Sequence, residues 1–113
     1  MPKFVTLFSL TSDALARLIE HPEDRRGPVA RAAEAVGGRL EAYYWMFGQY
    51  DGLAIIDMPD SATVAATVLA ITSSGSFKAF ETHELIEADA LVAILQRAQT
   101  LRPNYRPPGQ TEG

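Results

Sequence analysis

Residues 38–60, GRLEAYYWMFGQYDGLAIIDMPD, constrain the fold more than any other stretch of the chain. They read as a strand, a tight turn and a second strand. The first strand is crowded with aromatics: Tyr43, Tyr44, Trp45 and Phe47. Aromatic and β-branched side chains suit a pleated surface. The turn carries Gly48-Gln49-Tyr50-Asp51, followed by Gly52. Asp and Gly are residues that supply turn geometry between paired strands. The other elements must therefore arrange themselves around an antiparallel hairpin.

The flanking pattern supplies them. Alternation from Lys3 to Ser9 predicts a first strand. Thr11 or Ser12 then caps a helix with Asp13 in its first turn and Leu15, Leu18 and Ile19 on its apolar face. His21 to Pro28 interrupts that helix. A second helical segment restarts there, because Pro22 and Pro28 both suit a first turn, and it stops at Gly37-Gly38. The hairpin strands span about Arg39 to Phe47 and Gly52 to Met58. A helix capped by Asp60 or Ser61 follows, ending near Thr72 to Gly75. A fourth strand covers about Phe77 to Ile86, and a last helix about Glu87 to Ala98. The order β-α-β-β-α-β-α is the α+β, ferredoxin-like plan with an added C-terminal helix. Right-handed crossovers place the first and third strands centrally, the second and fourth at the edges, and the helices on one face. One domain is expected over 1–98. Residues 99–113 read as a Pro-rich polar tail, extended or disordered from Arg102 on, with Pro103, Pro107 and Pro108.

Composition narrows the function. The 113 residues carry a net charge of -4. Nucleic-acid binding needs a basic face, so that class is disfavoured, as is an anionic membrane surface. With no cysteine, disulfides, thiolate metal sites and cysteine nucleophiles are excluded. Neither a signal peptide nor an apolar run of about 20 residues is evident, so a cytoplasmic location is expected.

The sheet's second face points to a partner. The second strand puts Leu40, Ala42, Tyr44 and Met46 on one side and Glu41, Tyr43, Trp45 and Phe47 on the other. Leu53 to Ile56 is apolar on both sides, and a sheet with one wet face should alternate. The helix over 62–71 has only Thr63 and Thr67 as polar residues. A homodimer with two sheets face to face is the expectation, with Tyr43 and Trp45 at the interface; the apolar helix also allows a larger ring.

The opening Met1-Pro2-Lys3-Phe4, the Gly37-Gly38-Arg39-Leu40 lead into the hairpin, the Gly48-Gln49-Tyr50-Asp51 turn and the Pro59-Asp60 helix start together resemble the GYD-domain family, small bacterial and archaeal proteins. The likeness covers about Pro2 to Ala98. It implies the dimeric α+β barrel superfamily, which includes cofactor-independent monooxygenases, lactone isomerases and dehydratases. It implies no particular reaction.

Several residues are candidates for chemistry, each with a structural alternative. Asp51 beside Tyr50 suits an acid or base with a donor, or else turn hydrogen bonding. His83, sharing a strand face with Glu81, suits a proton shuttle, two of the ligands of a metal site, or an edge-strand hydrogen bond. Tyr43, Tyr44, Trp45 and Phe47 suit a pocket for a planar organic ligand, or core and dimer contacts. Pro2, exposed by loss of Met1, would be a secondary amine capable of base or iminium chemistry. His21 falls on the surface. Thr72 to Ser76 is hydroxyl-rich but follows a helix C-terminus, whose dipole repels anions.

Two functions follow, beside the plain possibility of an assembly protein with no ligand. One is a small-molecule enzyme without a tightly bound cofactor, using proton-transfer chemistry of the isomerase or monooxygenase type. His83 would be its shuttle, Asp51 its polar support, and Tyr43 and Trp45 its wall and donor. The other is a non-catalytic metabolite-binding or regulatory module. Fold alone does not separate them.

Overall fold

The computed structural model describes residues 1–111. Four strands, β1 (Lys3–Leu10), β2 (Arg39–Trp45), β3 (Gly52–Asp57) and β4 (Phe77–Leu85), form one sheet in the order β2-β3-β1-β4. All neighbouring pairs are antiparallel. The helices are α1 (Ser12–Glu20), α2 (Arg26–Ala35), α3 (Ser61–Thr72) and α4 (Leu91–Leu101). This is the expected ferredoxin-like arrangement with β1 and β3 central. Among the described residues, no helix is long and apolar enough to cross a membrane.

Local chemistry starts and stops these helices where the sequence indicates. The Thr11 side chain accepts a hydrogen bond from the Ala14 amide, and Asp60 accepts one from Thr63. Each satisfies an amide that the first helical turn leaves open. Asp60 is held below the ordinary carboxylate range by those amide bonds. Gly37, at φ 82°, ends α2 in the left-handed region. The last helix differs from expectation. A 3-10 turn occupies Ala88–Ala90, α4 starts at Leu91, and it runs to Leu101. Helix thus enters the start of the expected tail, since the first proline there is Pro103. Positions 112–113 of that expected tail lie outside the described residues.

Helices α1, α2 and α3 share one side of the sheet with Phe4, Thr6 and Phe8 of β1. Phe4, Met58 and Val64 form the closest-packed core, with Ile56 and Val68 against them. Phe8 is opposite Gly52 in the β1–β3 ladder. A Cβ at position 52 would lie 2.2 Å from Phe8 Cζ, so the ring rests on bare backbone.

Strand β2 departs from simple alternation. Leu40 pairs with Ile56 and Ala42 with Ile55, so Glu41 is an extra residue, a bulge. Downstream of it, Tyr43 pairs with Ala54 and Trp45 with Gly52. Tyr43 and Trp45 therefore face the helices, together with Leu40, rather than the open side where a dimer contact was expected. Ala42 and Tyr44 take the open side with Ile55 and Leu53. One inserted residue is enough to exchange faces, because the side-chain period is two.

The open side also holds a charged cluster. Lys3 binds Glu41 and, at 2.9 Å, Asp57; Arg39 binds the other oxygen of Asp57 at 3.0 Å. The hydrogen bonds from Lys3 and Arg39 hold the Asp57 carboxyl below its ordinary range. The Glu41 and Asp57 hydrogen bonds raise Lys3.

Helix α4 projects from the body. The molecule measures 65 × 32 × 24 Å, with a radius of gyration of 18.7 Å. A compact chain of this length would have about 13 Å. Leu91, Val92, Ile94, Leu95 and Leu101 of α4 are all exposed.

Two stability outcomes follow. Gly52→Ala pushes a methyl into the Phe8 ring, and a cost of about 1–3 kcal/mol is expected by urea denaturation. Asp57 contributes stability above its unfolded pKa, and that contribution disappears as pH falls through its lower folded value. Asp57→Asn should therefore be less stable than wild type at pH 7, with the gap closing below about pH 4. Thermal melts across pH 2–7 read this directly; a constant gap contradicts it.

Candidate functional site

Between the sheet and helices α1, α2 and α3 lies a cavity of about 610 Å³. That is within the ordinary range for a small organic ligand. Its floor is aromatic. Phe8 is the hub, with ring centroids 5.8 Å from both Tyr43 and Trp45, 5.7 Å from Phe77 and 6.5 Å from Phe80. Most of these pairs are edge-to-face or tilted, the arrangement that aromatic quadrupoles favour. Phe77 and Phe80 are three residues apart, which in a regular strand means opposite faces. A register shift between Ser9 and Leu10 lets both rings reach the cavity.

The walls are Ala14 and Leu18 of α1, Val29 and Ala33 of α2, and Thr67 and Ile71 of α3. The rim is polar, with Arg17, His21, Glu23 and Arg25. Arg25 is paired with Glu23 at 2.7 Å. Just outside, Arg26 hydrogen-bonds Asp24 and holds that carboxyl at about 2.

Tyr43 is the titratable group of the aromatic floor. Burial pushes its phenol up to about 12, opposed by the charge of Arg25 and reinforced by Asp24. The hydroxyl stays protonated at neutral pH and has no hydrogen-bond partner among the described residues. It is therefore a free donor facing a mainly apolar space.

The other candidates lie elsewhere. Asp51 is committed to the backbone: its Oδ2 accepts from the Leu10 amide at 2.9 Å, while its own amide donates to Phe8 O at 2.8 Å. Ser9 Oγ donates to Gln49 O at 2.6 Å in the same loop. The turn is thus stitched to the end of β1. Neighbouring Tyr50 donates from its hydroxyl to Glu81, whose other oxygen lies 3.2 Å from His83 Nε2. The Tyr50 bond holds Glu81 low and raises Tyr50. Glu81 and His83 pair with Leu7 and Val5, on the open side of the sheet. His83 and the cavity aromatics are therefore separated by the sheet. Among the described residues, no group of three or more His, Asp or Glu is spaced to hold a metal.

Tyr44 is exposed on the open side, and Phe47 is fully exposed beyond the end of β2. Pro2 uses its carbonyl to accept from the Met58 amide at 3.0 Å. Of the residues picked from sequence, Tyr43 and Trp45 line the cavity. Phe8, Phe77 and Phe80 were missed as lining because the turning of Phe77 inward depends on an irregular register. Arg17 and Arg25 were missed because they carry no motif.

The GYD domain model matches residues 4–95. The chain belongs to the GYD-domain family. A relative from Thermus thermophilus, described as "Glutamine synthetase and cystathionine beta-lyase binding protein", is 31% identical over 94 residues, covering 83% of this chain and 99% of the relative. Among solved structures, a hypothetical protein from Pyrococcus horikoshii superposes with a TM-score of 0.49 at 12% identity, covering 80% of this chain and 95% of the other. MtbAldR superposes with a TM-score of 0.48 at 14% identity, over 76% of this chain and 52% of the other.

The Gly48 to Asp51 turn of this GYD domain thus serves the fold. Asp51→Ala leaves the Leu10 amide without its acceptor, and a loss of about 1–3 kcal/mol is expected by chemical denaturation. A variant as stable as wild type would show that the carboxylate is not structural.

Proposed function

We propose that this GYD-domain protein is a non-catalytic binding module. It acts as a homodimer, docks on partner enzymes, and holds a small organic ligand in each subunit's cavity. The carrying observation is that the candidates for proton transfer, His83 and Asp51, lie away from the cavity, whose aromatic floor offers only a phenol. Acid–base catalysis needs a group titrating near the working pH. Tyr43, at about 12, is far from it. His83 lies across the sheet, and Asp51 is bound to backbone. The Thermus relative, described as a binding protein for two enzymes, supports a binding role for this chain.

Two unpartnered surfaces support the dimer. One is the open sheet side with Val5, Leu7, Leu53, Ile55 and Tyr44. The other is the exposed apolar row of α4. A helix of 11 residues is marginal in water without packing. A second copy supplies a cover for the sheet and a bed for the helix.

A second reading rests on the hydrogen-bonded run Tyr50–Glu81–His83. In the proposed dimer it lies at the sheet–sheet junction, where it would form a proton-transfer site.

The deciding experiment mixes the purified chain with glutamine synthetase and, separately, cystathionine beta-lyase from its own source, using size exclusion with light scattering. The expected result is a dimer alone and a heavier co-eluting complex with one of the enzymes. A monomer that co-elutes with neither overturns the proposal. Turnover of a carbonyl substrate that His83→Gln abolishes would favour the second reading.

A further inference from the structure

The cavity contains more information than its size. The unpartnered polar groups of its aromatic floor are donors. Tyr43 offers a protonated hydroxyl, and the indole N–H of Trp45 is likewise unpartnered among the described residues. Arg17 forms no ion pair among the described residues. The single carboxylate in the lining, Glu23, is engaged by Arg25. The neighbouring Asp24 is engaged by Arg26. In a protein with net charge -4, Arg17 thus stands at the mouth of an aromatic chamber without an ion-pair partner among the described residues.

We infer that the cavity selects a planar aromatic ligand bearing an anionic group, its ring lying among Phe8, Tyr43, Trp45 and Phe80 and its carboxylate or similar oxyanion meeting Arg17 at the rim. This rests on the binding reading above and names the ligand class of that site. A flat ring suits the cavity because its floor presents edges and faces of mutually packed rings on which a further ring can stack or tilt. The anion fits because guanidinium donates in a planar fork that matches an oxyanion. The Tyr43 hydroxyl is available as a second donor, since it does not ionise at neutral pH.

A cage of aromatic rings also attracts quaternary ammonium ions. Here a cation would meet Arg17, and the carboxylate in the lining, Glu23, is already engaged by Arg25. The rim chemistry therefore chooses the anion over the cation. Thr6 and Thr67 add no competing free donor, since their hydroxyls are bonded to Thr82 and to the Thr63 carbonyl.

Isothermal titration of the full chain tests this with three probes of one ring system: 2-naphthoate, 2-naphthamide and 2-naphthyltrimethylammonium. The expected order is naphthoate tightest, about tenfold over the amide, with the cation weakest. Arg17 is exposed on α1, so Arg17→Gln should leave the fold and the amide affinity intact while bringing naphthoate to the amide's level. Arg17→Lys should restore part of the difference. If none of the probes binds, the cavity reading fails and this inference fails with it. If the amide or the cation binds as tightly as naphthoate, the cavity reading stands and anion selection is overturned. Equal loss of all probes in Arg17→Gln also overturns it.

Discussion

The contact between the Phe8 ring and the bare backbone of Gly52 organises this molecule. A ring placed directly on a neighbouring strand tolerates no side chain beneath it. It is the point at which β1, β3 and the aromatic floor meet. From Phe8 the rings of β2 and β4 radiate outward in tilted and edge-to-face pairs. Their bulk, with the small residues Ala14, Ala33 and Ala54 around it, leaves a chamber instead of a filled core. The cavity is a consequence of how the rings are spaced.

The loop that gives the family its name secures that arrangement. Asp51 exchanges hydrogen bonds with the backbone of Phe8 and Leu10, and Ser9 holds Gln49. These bonds lock the hairpin against the end of the central strand, beside Phe8. An irregular loop needs such partners, because its own backbone groups have no ladder to join. Asp51 therefore acts through geometry, and the chemical character of the site comes from Tyr43 and the rim arginines. Tyr43 illustrates the point: its phenol is protonated at neutral pH and burial raises it further, so it is a donor for recognition and not a base.

Much of the fold was legible because it rests on local rules. Caps at Thr11 and Asp60, the stop at Gly37 and the Asp51-Gly52 turn are short-range chemistry, and they delimit elements correctly. The register irregularities were not legible. The bulge at Glu41 moved Tyr43 and Trp45 from the side expected to meet a partner to the side that meets the helices. The shift near Leu10 brought Phe77 and Phe80 together. A bulge reflects how two paired strands fit each other, and nothing within either strand marks it here. The separation of His83 from the aromatics has the same origin, since faces can be compared only after the strands are paired.

The sequence by itself determined the order of elements, the central position of β1 and β3, and the family. It did so because hydrophobic period, capping and turn residues act over a few positions. The tertiary structure alone decided which side each aromatic faces, that Asp51 binds backbone, that α4 stands away from the body, and that Arg17 stands unpaired at the mouth of the cavity. Those outcomes depend on how separate elements pair and pack against one another. A pattern read along one strand carries no record of the register that brings such residues together.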